Sequence, residues 1–191
     1  MNQIKKSIYS HLATIQRVVD SPQCLESIGV MCKMVAETIS SGNKILLCGN
    51  GGSAADAQHI AAELVGRFKK ERPSMGALAL TVDTSVLTAL GNDYGFENIF
   101  SRQVEGLGRK GDLLIGISTS GNSPNVLKAM RKAREMGMKT AGLTGSNEDA
   151  ALKSVSDVLV AVPTKDTPRI QEAHILIGHV MCDYVETNVK G

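Results

Sequence analysis

Tryptophan is absent from this chain, and aromatic residues of any kind make up only 3% of its 191 positions. Proteins that hold nucleic acid by stacking bases depend on aromatic side chains. The basic residues form no stripe beyond positions 67–72, and the formal net charge is only +2, so nucleic acid is not an expected partner. The four cysteines, Cys24, Cys32, Cys48 and Cys182, show no CxxC spacing, and each lies within an apolar segment. That pattern excludes a zinc knuckle and a disulfide framework and predicts reduced thiols in the core. No apolar run approaches the roughly 20 residues of a membrane span, and the N-terminus has no signal-peptide pattern, so the expected location is the cytoplasm. Hydrophobic residues at 42% and charged residues at 21% are ordinary for a globular protein. A chain of this length buries a full core as one domain, residues 1–191.

The most informative stretch is residues 44–67, KILLCGNGGSAADAQHIAAELVGR. Residues 45–48 form a short apolar run between glycine-containing turns and read as a buried strand. Asn50, Gly51 and Gly52 follow at the strand's carboxyl end, where glycines admit positive φ and close approach of a ligand. Ser53 is a candidate N-cap, with Asp56 as the acidic partner of a capping box. A helix starting there directs free N–H groups at the corner, which suits a phosphate or a hydroxylated ligand. His59 and Glu63 share one face of that helix about a turn apart. They are placed to hold one divalent metal or to act as an acid/base pair. Their neighbours Ala57, Ile60, Ala61, Ala62 and Leu64 are small or apolar, and a buried imidazole and carboxylate need partners.

Two helices are expected before this strand. Ile4, Ile8, Leu12, Ile15 and Val19 recur at helical spacing, and Ser21 and Pro22 restart the chain as N-cap and first helical residue. Leu25, Ile28, Cys32, Val35 and Ile39 form a second, narrower seam. The pair, residues 1–41, is expected to pack on the α/β core of residues 44–191 and to contact a neighbouring subunit. Further strands are predicted at 77–81, 113–117, 140–144 and 158–162, with a short helix at 85–90 closed by Gly91 and a polar loop containing Asn92 and Asp93. The 113–117 strand runs into Ser118, Thr119, Ser120, Gly121, Asn122, Ser123 and Pro124. Hydroxyls and free N–H groups at a helix start make a phosphate cradle that needs no lysine. Strands alternating with helices predict a doubly wound parallel sheet with helices on both faces, and ligands then sit beyond the strands' carboxyl ends. A last helix from Pro168 carries Gln171, His174 and His179. Gln171 and His179 are about 12 Å apart along its axis, which strains joint ligation of one ion. His174 is expected to be a core histidine bonded to backbone.

With the glycine corner, HIAAE, GISTSGNSPNV and RIQEAHILIGH in hand, the whole chain resembles the bacterial phosphoheptose (sedoheptulose 7-phosphate) isomerases of the sugar isomerase (SIS) family. The resemblance implies an α/β fold, a three-layer α/β/α sandwich around a five-stranded parallel sheet, in a homotetramer with active sites between subunits. It implies that Ser118, Thr119, Ser120 and Ser123 bind phosphate and that Asn50, Gly51, Gly52, Asn92 and Asp93 line the sugar. His59, Glu63, Gln171 and His179 match zinc ligands, with Glu63 and Gln171 also on the substrate, and Glu63 and His179 match the acid/base pair. The implied reaction is an aldose–ketose isomerisation feeding nucleotide-activated heptose for lipopolysaccharide or a related glycan. The competing expectation is a non-catalytic sugar-phosphate-binding or protein-binding SIS module of the kind that associates with replication initiators. Such a module has no need to keep Glu63 and His179 together.

Overall fold

The computed structural model describes residues 1–189, so the last two positions of the expected domain lie outside the described residues. Helices α1 (Asn2–Val19) and α2 (Pro22–Ser40) precede β1 (Ile45–Gly49) and α3 (Gly52–Val65). There follow β2 (Ala77–Ala79), α4 (Thr84–Tyr94), α5 (Ser101–Leu107), β3 (Leu113–Ile117), α6 (Pro124–Glu135), β4 (Lys139–Gly145), β5 (Val158–Val162) and α7 (Thr167–Asn188). Short 3-10 turns occupy Phe96–Asn98 and Ala151–Val155.

All five strands pair in parallel, in the order β2-β1-β3-β4-β5. The winding reverses between β1 and β3, so the loops that leave these neighbouring strands diverge toward opposite faces. Both strands are buried along their whole length, as a sheet covered on two sides requires. Side-chain alternation divides the core in two. Ile45, Leu47, Leu113, Ile115 and Ile117 point toward α2, α3 and α7, where they meet Val35, Ile60, Leu64 and Ile177. Leu46, Cys48 and Leu114 point the other way, onto Phe100 just before α5, Val104 of α5, and Val126 and Met130 of α6. Each fully buried leucine or isoleucine contributes roughly 1.5–3 kcal/mol of transfer free energy. The four cysteines are buried and unpaired within these layers.

Several local expectations are corrected. Gly51 takes φ +56, and α3 starts at Gly52 with no side-chain cap. The turn comes earlier than a serine cap would place it, so Ser53 falls inside the first turn and the capping box with Asp56 does not form. Helix α4 continues through Gly91 and stops at Gly95, which takes φ +82. Of the two glycines only Gly95 takes a positive φ, which the helix cannot continue through, and Asn92 and Asp93 therefore lie on the last turn of α4, not in a loop. Strand β2 is shorter than expected and β4 longer. On α1 the expected apolar stripe is present, yet Ile4, Ile8, Leu12 and Val19 are each more than half exposed, and Thr14 and Val18 make the buried contact instead.

One ion pair ties the two helices that flank the site. Glu186 on α7 accepts the backbone N–H groups of Phe68 (2.7 Å), Lys69 (2.8 Å) and Lys70 (3.0 Å), and Arg72 Nε at 3.1 Å. Arg72 also donates to the carbonyls of Glu63 (2.8 Å) and Leu64 (2.9 Å), closing the last turn of α3. Burial alone would raise the Glu186 carboxyl, but the N–H donors of Lys69, Phe68 and Lys70 and the Arg72 guanidinium outweigh it and hold it down at about 2. A carboxyl lowered in the fold stabilises it fully above the ordinary glutamate value near 4.5, and that contribution is lost as pH falls toward 2. Glu186→Gln is expected to cost about 2–4 kcal/mol in urea unfolding at pH 7. The deficit should shrink below pH 4.5, and equal stability of the two proteins at pH 7 would remove the clamp from this account.

Candidate functional site

The glycine corner and the serine loop meet at the carboxyl edge of the sheet, as the switch between β1 and β3 dictates. Asn50 joins them: its amide exchanges two hydrogen bonds with that of Asn125, at 2.9 and 2.8 Å. Asn125 is buried in the first turn of α6 and also accepts the Val126 N–H. Sequence reasoning missed it, because an asparagine after Ser-Pro reads as one more helix-start residue; its position behind a proline at N1 is the only local signal. Asn50, Ser123 and Asn125 line a cavity of about 450 Å³ with Tyr94, Gly95 and Phe96. Asn92 and Asp93 sit just before that segment, exposed, and Asn92 donates to Asp93 at 2.8 Å.

In the serine loop Ser118 Oγ lies 2.9 Å from Ser123 Oγ and 3.4 Å from Ser120 Oγ. Ser123 is the N-cap residue of α6 but makes no capping bond, since its hydroxyl is turned to Ser118. Three hydroxyls therefore converge at one helix N-terminus, an arrangement that accepts an anion by hydrogen bonding and helix dipole without a formal positive charge. Gly121 takes φ +71, and a Cβ there would lie 2.5 Å from that of Ala150, so the loop's path depends on glycine. Thr119 and Ser120 also border a cavity of about 260 Å³ with Gly145, Asn147, Thr164, Lys165 and Ile170.

The second cluster forms where α7 crosses α3. A Cβ on Gly178 would fall 2.6 Å from Ile60 Cδ1, so glycine lets the helices come close at this point. The residues next in each chain, His179 and His59, are thereby brought together with Nε2 atoms 2.9 Å apart. Glu63 Oε1 is 3.3 Å from His59 Nε2. The His59 and His179 rings lie edge to face with centroids 5.1 Å apart, and Phe68 stacks on His179 at 5.4 Å and 26°. Ligands about 2.0–2.2 Å from a tetrahedral zinc are themselves a little over 3 Å apart. The donor atoms of His59, Glu63 and His179 all lie within 4.8 Å of one another, and the mixed nitrogen and oxygen set suits such an ion. Gln171 is placed elsewhere on α7. Its amide is pressed on the glycine corner, where a Cβ on Gly52 would meet Nε2 at 2.5 Å.

Two further buried groups flank these clusters. Asp56, one turn before His59, is half-buried and has a buried Oδ2 with no hydrogen-bond partner among the described residues, and burial, opposed by His59, pushes its carboxyl up to about 6. His174 is fully buried and bonds the Thr144 carbonyl at 3.2 Å, the backbone partner expected of a core histidine. Burial, opposed by that bond, lowers it to about 4, so it is neutral at physiological pH.

Residues 10–145 match the family model described as SIS domain. A phosphoheptose isomerase of Aliarcobacter butzleri is 53% identical over 187 residues, covering 98% of this chain and 97% of that protein. Among solved structures, the phosphoheptose isomerase of Neisseria gonorrhoeae superposes with a TM-score of 0.90 at 43% identity, covering 97% of this chain and 98% of the other. That of Francisella tularensis does so with a TM-score of 0.91 at 36% identity, covering 97% of each chain. The chain belongs to the phosphoheptose isomerase family of SIS-domain proteins.

Proposed function

We propose that the chain is an aldose–ketose isomerase that converts sedoheptulose 7-phosphate to D-glycero-D-manno-heptose 7-phosphate through a cis-enediol. The observation that carries this reading is the convergence of His59, Glu63 and His179 beside a glycine corner and a hydroxyl cradle. The names of the similar proteins support it over full length. Distance supports a long substrate: α3 separates Gly52 from His59 by about 10 Å, so a phosphate near the loops leaves the reacting carbons of an extended sugar near the histidines.

In this reading Ser118, Thr119, Ser120 and Ser123 hold the phosphate, and Asn50, Gly51, Gly52, Asn92, Asp93 and Gln171 line the sugar. Moving hydrogen between C1 and C2 requires a base at carbon and a proton carrier at the oxygens. Glu63 takes the carbon-bound proton and returns it to the neighbouring carbon. One of its oxygens faces His59, which leaves the other for the substrate. His179 moves protons between the two substrate oxygens. His59, Glu63 and His179 are the residues that would hold zinc, with Gln171 as the fourth ligand once its side chain leaves the glycine corner on which it lies. When bound, the ion supplies Lewis-acid polarisation of the carbonyl and hydroxyl oxygens. A non-catalytic SIS module gives no role to this group of three, which makes the regulatory alternative the weaker account.

The reading extends to a cytoplasmic homotetramer with active sites between subunits, serving heptose supply for lipopolysaccharide or a related glycan. Among the described residues no helix is long and apolar enough to cross a membrane. The exposed stripe of α1 is the feature that asks for a partner copy, and α1 is anchored to α7 through His11 and Glu172 at 2.7 Å. A dockable helix fixed to the helix that carries His179 couples assembly to the site.

Incubation with sedoheptulose 7-phosphate, followed by NMR, is expected to yield the aldose, and Glu63→Gln to reduce kcat by about 10³-fold or more with substrate still bound. Full turnover of that variant would exclude Glu63 as the base. Chelation is expected to stop turnover and release zinc; unimpaired turnover of metal-free protein would reduce His59 to a substrate contact. Analytical ultracentrifugation should show a tetramer that Ile8→Glu with Leu12→Glu breaks into smaller species, whereas an unchanged tetramer would move the interface off α1.

A further inference from the structure

Neither the acid/base pair nor the proposed ligand set accounts for Phe68. It lies in the segment after α3, half-buried, and packs against the core of that face. Its ring stacks on the His179 imidazole with centroids 5.4 Å apart and planes 26° apart. The imidazole also meets His59 edge to face, with the two Nε2 atoms 2.9 Å apart. One face of the His179 ring is thus covered by an apolar surface while its Nε2 edge points into the site.

The backbone that carries Phe68 is held unusually firmly for a connecting segment. Glu186 accepts three consecutive backbone N–H groups, the first being that of Phe68 itself, and the Arg72 guanidinium completes the set. Glu186 is seven residues beyond His179 on α7, so the two project from the same side of the helix about 10 Å apart. Arg72 closes the far end by binding the Glu63 carbonyl. The segment therefore spans both members of the acid/base pair, and Phe68 is the only side chain in it that stacks on one of them among the described residues.

We propose that Phe68 is a positioning residue for His179: it fixes the plane of the imidazole so that Nε2 faces the reacting oxygens, and the Glu186–Arg72 clamp fixes Phe68. Histidine χ2 has a broad profile, so backbone placement alone leaves the ring free to swing. A stacked aromatic partner removes that freedom, and a misdirected proton carrier costs turnover more than binding. The catalytic consequence rests on the isomerase reading; the stacking and its effect on the ring do not.

Two substitutions and two measurements test this. Phe68→Leu keeps an apolar side chain but removes the aromatic face, and Phe68→Tyr keeps the face. In metal-free protein the ring protons of His179, one of only four histidines, are expected to move downfield in Phe68→Leu and to stay near the parent position in Phe68→Tyr. In turnover with the sugar phosphate, Phe68→Leu is expected to lose about tenfold in kcat with KM within twofold, while Phe68→Tyr retains most of the parent rate. Unchanged His179 resonances in Phe68→Leu would overturn the proposal, whatever the activity. So would parental kcat in that variant, an equal loss in both variants, or a change confined to KM. Absence of turnover in the parent protein would instead overturn the isomerase reading, and the resonances would still decide the role of Phe68.

Discussion

The close crossing of α7 over α3 at Gly178 is the contact on which the rest of the site depends. Two helices packed through ordinary side chains lie 8–10 Å apart at their axes, and a missing Cβ at the crossing shortens that separation. With Gly178 set against Ile60, the residues one step along each helix are forced within hydrogen-bonding reach, and those residues are His59 and His179. The cluster is only partly buried, against the expectation drawn from its apolar neighbours: the His59 and Glu63 side chains are 48% and 22% exposed, which limits the desolvation cost of bringing two imidazoles and a carboxylate together. The crossing itself belongs to the core, where Ile60, Ala173, Ile177 and Met181 are buried. Apolar packing thus holds a group of titratable residues that would not assemble by its own attraction.

The two halves of the site are built by different physics. At the carboxyl edge of the sheet the reversal of strand order opens a crevice, and what lines it is backbone and neutral side chains: glycines, serines and the Asn50–Asn125 amide pair. Dipoles fixed in place are able to accept an anion without a buried counter-ion, which would itself need partners in the empty site. At the α3–α7 crossing the groups are ionisable and face one another. In the isomerase reading, an anchor that is indifferent to proton position and a reacting end that is sensitive to it are kept about two helical turns apart.

Much of this was legible in the sequence, and the boundary between what was and was not is physical. Leu113–Ile117 and Ile45–Gly49 are short apolar runs bounded by turn residues, a pattern few structures other than buried parallel strands satisfy. His59 and Glu63 stood out because helical periodicity places them on one face, and His174 was recognisable as a core residue by its apolar neighbours. The helix starts were less legible. Gly51 and Gly52 carry no side chain to announce which of them turns, and only the observed φ of +56 shows that α3 begins before Ser53. Asn92 and Asp93 were misplaced because Gly91 and Gly95 are both plausible stops, and the choice is made by which one takes positive φ.

What stayed out of reach was set by contacts between distant parts of the chain. Phe68 and Glu186 are separated by 118 positions and Asn50 and Asn125 by 75, and neither pair belongs to a periodic pattern. A carboxylate near the end of a long helix is unremarkable in sequence, and a run of basic residues after a helix looks like solvated surface. Their meaning appears only when the helix folds back: the carboxylate gathers the N–H groups of Phe68, Lys69 and Lys70, whose side chains are then incidental to the bond. Recognition through backbone leaves no residue-type signature, because any amino acid except proline supplies the same donor. The segment whose Phe68 stacks on His179 is therefore the part of this site that sequence composition is least able to report, although it is among the most firmly held.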